Sequence, residues 1–137
     1  MELFTTLVAF FAMGAILSCT DDAVQSTDDS TCLRAKFISN YCPADKPLHL
    51  IQFLSPTELA TAYKSQTSDT TYYFAAVLDL PESVQYADTE FYIESHYDQA
   101  AETKHKPTVC QAIFSPVKII VCDVASKQSC ENSLTKR

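Results

Sequence analysis

The chain has 137 residues, a net charge of −7, six cysteines, no tryptophan and one glycine, Gly14. That length suits a single domain, and the acidic balance argues against a nucleic-acid binder, which needs a broad basic surface. A lone glycine inside the leading segment excludes the glycine-rich phosphate cradles of P-loop and dinucleotide-binding proteins.

Residues 1–19 read as a signal peptide: 7–17 are apolar, too few to span a bilayer, and small residues follow at 18–20. The segment carries Glu2 and no Lys or Arg before its apolar run. Ile16-Leu17-Ser18-Cys19 also resembles a bacterial lipobox, which would make the product a lipid-anchored exported binding protein. Cys19 is thus retained, lipidated or removed. No later window is apolar enough to be a transmembrane span. Residues 20–31, with Asp21, Asp22, Asp28 and Asp29 among Ser and Thr, read as an acidic flexible lead-in. A single secreted, extracellular domain is expected over 32–137.

In CLRAKFISNYC, residues 32–42, the apolar residues Leu33, Phe37, Ile38 and Tyr41 fit a helical stripe, with Thr31 as N-cap and Pro43 as stop. Residues 48–54 suit a short buried strand. Ser55-Pro56-Thr57-Glu58 has the form of a capping box, predicting a helix that ends near Ser65. Residues 70–80 are apolar on both faces, as in a central strand. Residues 89–98, TEFYIESHYD, alternate, with Phe91, Ile93, Ser95 and Tyr97 on one side. Residues 107–114 and 117–124 read as two strands of a hairpin turning at Ser115-Pro116. The connections 81–88 and 99–107 are expected as loops. The fold class is therefore α+β: a short N-terminal helix, one further helix, and an antiparallel sheet of about five strands in the order β-α-β-β-β-β from residue 48.

That order over 48–125, with nineteen residues between Cys110 and Cys130, resembles the cystatin fold. The resemblance implies a 110–130 disulfide and a protease inhibitor. The Gln-x-Val-x-Gly loop, Pro-Trp pair and N-terminal glycine of that family's inhibitory wedge have no counterpart here.

Six cysteines in a short exported chain, with no C-x-x-C, argue for disulfides rather than a metal site. A helix over 32–42 would hold Cys32 and Cys42 about 15 Å apart, beyond the roughly 7 Å limit of a bridge, so each needs another partner. In the expected hairpin Cys110 and Cys122 lie on opposite faces. Cys130, beyond the last strand, can return to Cys110, which is also the pairing the cystatin resemblance suggests. Cys122 is then left for Cys32 or Cys42.

No enzyme is expected. His49, His96 and His105 lack zinc-ligand spacing, and Glu90 and Glu94 on one strand are about 13 Å apart, too far for paired carboxylate chemistry. No metal or other cofactor is implied. The candidate ligand-binding face is Glu90, Tyr92, Glu94, His96 and Asp98, lying in a stretch from 65 to 103 that holds eight acids and no Lys or Arg. Tyrosine offers rigid amphipathic contact area, and carboxylates pair with cations on a partner. The ordinary solvated outer face of a sheet would show the same pattern. Tyr86, Tyr92 and Tyr97, each beside acids, are also candidates for sulfation. The expected function is a secreted, disulfide-stabilised binding protein of the effector kind found in saliva or venom. Its partner would be a basic protein or a cationic small molecule, with a cystatin-like inhibitor as the alternative. The sequence fixes no oligomeric state.

Overall fold

A computed structural model describes residues 31–110, 114 and 116–130. The expected signal peptide, Cys19 and the acidic lead-in lie outside the described residues, apart from Thr31. The described chain is mostly sheet, with one α-helix. Its strands are β1 (Leu33–Asn40), β2 (His49–Phe53), β3 (Thr61–Lys64), β4 (Thr71–Leu78), β5 (Glu90–His96) and β6 (Lys118–Ser126). A 3-10 turn spans Glu82–Val84, and helix α1 spans Gln99–His105.

Five strands close on one another. β1 pairs with β2 and β5, β2 with β4, β4 with β6, and β6 with β5. The short β3 lies on the edge of β4 that β6 takes over further along, since Thr61–Lys64 face Thr71–Phe74 while β6 begins opposite Ala75. Every pairing is antiparallel except β4 with β6, which is parallel. The result is a small barrel-like sheet of Greek-key type.

Two apolar cores follow from strands that are buried on both sides. Inside the barrel, Ala35, Phe37, Ile51, Phe53, Val77, Phe91, Ile93 and Ile120 pack together with Leu80 and Val84 from the turn. Outside β2, β4 and β6, a second cluster of Leu48, Leu50, Phe74, Leu78, Val117 and Ile119 is covered by Tyr41, Tyr63, Ala101 and Phe114. Phe114 stacks on Phe74 with ring centroids 4.1 Å apart. This explains why 48–54 read as a short buried strand and 70–80 as apolar on both faces.

The expected helix over 32–42 is a strand. Leu33, Ala35 and Phe37 face the barrel interior at period 2, with Arg34 and Lys36 on the other side. An irregularity leaves Ile38 unpaired between Phe37↔Ile51 and Ser39↔Leu50, and Ile38 packs on the outer cluster. The expected helix over 55–65 is absent too. The Thr57 hydroxyl accepts the Leu59 N–H at 3.2 Å in a turn, and 61–64 pair with β4. Residues 107–110 are not a strand, and 111–113 and 115 lie outside the described residues. The partner of 117–124 is therefore β5, with β4 on the other side, rather than a hairpin with 107–114. The 99–107 connection holds α1, capped by Asp98, whose carboxylate accepts from Ala100 N at 2.8 Å and Ala101 N at 3.1 Å.

The disulfides differ from the expected pairing. Cys32 joins Cys130 (Cα–Cα 5.8 Å) and Cys42 joins Cys110 (Cα–Cα 5.1 Å). Neither a 110–130 bridge nor a bridge to Cys122 forms. Cys122 is a buried thiol in the barrel interior. The separation of Cys32 from Cys42 holds, although a strand and not a helix keeps them apart. Without the second helix and the 110–130 bridge, the fold implied by the cystatin resemblance is not the one observed.

Two turns take a left-handed backbone without glycine: Asp79 has φ 61° and Asp88 has φ 60°. Aspartate tolerates this region better than most residues, which is how a chain with so few glycines closes these turns.

Candidate functional site

The alternation of β5 puts Phe91 and Ile93 inside the barrel, at 1% and 0% exposure, and Glu90, Tyr92, Glu94 and His96 on its outer side. Asp98 is separated from that row, because β5 ends at His96 and the Asp98 carboxylate is committed to the N-terminal N–H groups of α1. Tyr97, which the alternation groups with Phe91 and Ile93, is 45% exposed and lies beside α1.

Neighbouring strands complete the outer face. Tyr92 is flanked by Arg34 on β1 and Ser126 on β6. The Arg34 guanidinium lies 5.9 Å from the Tyr92 ring centroid and forms an ion pair with Glu90. Lys36 reaches Asp88 at 3.7 Å. His96 Nδ1 lies 2.8 Å from the Asp123 carboxylate. Asp123 reaches it because β6 carries one extra residue there: Glu94 faces Val124 and Ser95 faces Cys122, leaving Asp123 unpaired between them. Glu94 makes no ion pair among the described residues.

The face thus presents four carboxylates, Asp88, Glu90, Glu94 and Asp123, against two cations, Arg34 and Lys36. All are at the surface, where an ion pair contributes at most about 1 kcal/mol, so partner charges can compete for them. The arrangement encloses no reacting atom and supplies no buried acid–base pair. Its chemistry is that of a contact surface in which Tyr92 and Arg34 are the residue types that most often anchor interfaces. No cluster of three or more metal-ligating side chains occurs among the described residues.

Arg34, Lys36, Asp88 and Asp123 were not among the expected site residues. For Arg34 and Lys36 the signal was present, in their alternation with Leu33, Ala35 and Phe37, but the helical reading hid it. Asp123 could not have been placed without the bulge. No family model, curated protein or solved structure matches this chain.

Proposed function

We propose that the protein is a secreted, non-enzymatic binding module that takes a basic protein or a cationic small molecule on the outer β1–β5–β6 face. The observation that carries this reading is the asymmetry of the barrel surface. The outer side of β2 and β4 and the start of β6 are covered by a second apolar core. The β1–β5 side carries Tyr92 among four carboxylates, with Glu94 in no ion pair among the described residues. Two disulfides among the described residues, and no helix there long and apolar enough to cross a membrane, are compatible with secretion after cleavage near residue 19.

The test is titration of the oxidised protein with spermine and with a lysine-rich peptide, in low salt and in about 0.5 M NaCl, where the Debye length shrinks to a few ångströms. Binding that weakens with salt, and that Glu94→Lys and Tyr92→Ala each reduce, supports the reading. Equal binding by wild type and Glu94→Lys, or no binding of either probe, overturns it.

A further inference from the structure

A donor-rich hollow lies away from the β5 face, where the ends of several elements meet. Tyr41 follows β1, Thr61 opens β3, Lys118 opens β6, and Tyr97 and Lys106 flank α1. Together with Pro107, Val117 and Ile119 they line a cleft of about 390 Å³, within the usual range of roughly 300–1,000 Å³ for small-molecule sites.

Its hydrogen-bonding groups are mainly donors. The Tyr41 hydroxyl accepts the Val117 N–H at 3.2 Å, and the Thr61 hydroxyl accepts the Lys118 N–H at 2.9 Å. One acceptor site of each oxygen is thereby taken by the backbone at the start of β6, and its own proton is left to donate. The Lys118 ammonium donates to the Glu58 carbonyl and lies 5.4 Å from the centroid of the Tyr97 ring. Neither Lys106 nor Lys118 forms an ion pair among the described residues. The single carboxylate of the lining, Glu102, lies close enough to Tyr97 to raise the pKa of its hydroxyl. In a chain of net charge −7, this is a local site with two cations and two hydroxyl donors against one acid.

We propose that this cleft binds a small organic monoanion with an apolar or aromatic body. Its charge would lie against Lys106 and Lys118, the Tyr41 and Thr61 hydroxyls would donate to it, and its body would rest on Tyr97, Pro107 and Ile119. The site is separate from the β5 face and of opposite charge preference, so the two readings stand or fall independently.

Fluorescence titration of the oxidised full chain with anilinonaphthalenesulfonate, an aromatic monoanion, tests this against phenylnaphthylamine, its uncharged counterpart. The sulfonate is expected to bind saturably and about tenfold more tightly than the neutral amine, a difference of about 1.4 kcal/mol. Lys106→Met and Lys118→Met should each weaken the sulfonate by about tenfold while leaving the amine unchanged. Tyr41→Phe should weaken the sulfonate by a smaller factor, Lys106→Arg should retain it, and Glu94→Lys on the other face should not reduce it. Far-UV circular dichroism on each variant separates loss of the site from loss of the fold. Equal affinity for the two probes, absence of saturable binding to the folded protein, or a Lys106→Met variant that is folded and binds the sulfonate as wild type does, overturns the proposal.

Discussion

Ser95 and Cys122 face each other across the β5–β6 pair on the inner side of the barrel, next to the bulge that carries Asp123. The Ser95 hydroxyl is buried and has no hydrogen-bond partner among the described residues, and the Cys122 thiol is too weak an acceptor to replace one. An unsatisfied buried hydroxyl costs stability. Ser95→Ala is therefore expected to raise the urea midpoint, by roughly 1 kcal/mol in unfolding free energy. An unchanged or lowered midpoint would show that the hydroxyl is satisfied in solution.

The same pocket controls the thiol. Burial, reinforced by the nearby Asp123 and Asp79 carboxylates, pushes the Cys122 thiol up to about 12, so it is almost wholly protonated at pH 8. Since the thiolate is the reactive form, iodoacetamide at that pH should leave the native protein unlabelled and modify Cys122 only in denaturant. Rapid native labelling at Cys122, located by peptide mapping, would contradict this.

How far the sequence could be read depended on whether a signal was local. Strands over 48–54, 70–80, 89–98 and 117–124 were legible because their apolar patterns follow from how many faces each buries. Residues 32–42 misled because Leu33 and Phe37, four apart, suit both period 2 and a helix, and small Ala35 gave little weight to the alternation. The Ser55–Glu58 capping signal was genuine as local chemistry, but pairing of Thr61–Lys64 with β4 overrode it. Helix α1 has its Asp98 cap and its Ala100-Ala101 pair in plain view, yet Asp98 also completes the strand alternation of 89–98. The parallel β4–β6 contact, the disulfide pairing and the Arg34 and Asp123 partners depend on sheet order, which no local pattern encodes. Four of the five candidate face residues were legible for the same reason that β5 was.

The bridges give a direct chemical test. Cys32–Cys130 and Cys42–Cys110 span 98 and 68 residues of sequence, and closing a loop of that size stabilises by about 4.5 kcal/mol in the chain-entropy account. Non-reducing digestion should yield 32–130 and 42–110 linked peptides, and reduction should unfold the domain. The paired substitution Cys42→Ala with Cys110→Ala should release the segment after α1 from the β1–β2 connection. It should also abolish sulfonate binding in the cleft, where Cys110 is part of the wall. A 110–130 or 32–122 peptide would refute the pairing.

At Asp88 the backbone conformation makes the prediction. Its φ of 60° is held by two hydrogen bonds, Asp88 N to Phe37 O at 3.1 Å and Thr89 N to Tyr86 O at 3.0 Å. A β-carbon without a short polar side chain is disfavoured there by roughly 1–2 kcal/mol. Asp88→Ala should therefore destabilise by roughly 1 kcal/mol, while Asp88→Gly should be close to neutral or stabilising, since the exposed contact with Lys36 contributes little. Equal midpoints for the Ala and Gly variants in urea would show that the turn relaxes out of this conformation.

The last prediction concerns acid. His49 is 8% exposed at one end of the barrel, with its ring 6.1 Å from Phe37 and Nδ1 3.1 Å from the Asn40 side-chain oxygen. Burial lowers its pKa below the ordinary 6.5. Lys46, Asp79 and Glu82 open onto the same hollow, and Lys46 is paired with Asp79 at 2.6 Å. The unfolded chain therefore binds a proton at His49 more readily than the folded chain does. By linkage, the stability from the neutral ring is complete above about pH 6.5 and is lost as pH falls from there through the lower folded-state pKa. Asp45 acts in a separate window, because its hydrogen bond with His105 holds its carboxyl below 3.8, so its share is lost only at lower pH. Urea midpoints from pH 7.5 to 4.5 should decline for wild type and stay flatter for His49→Gln, which keeps a polar group near Asn40 but does not titrate. Parallel declines for the two proteins would place the acid sensitivity elsewhere.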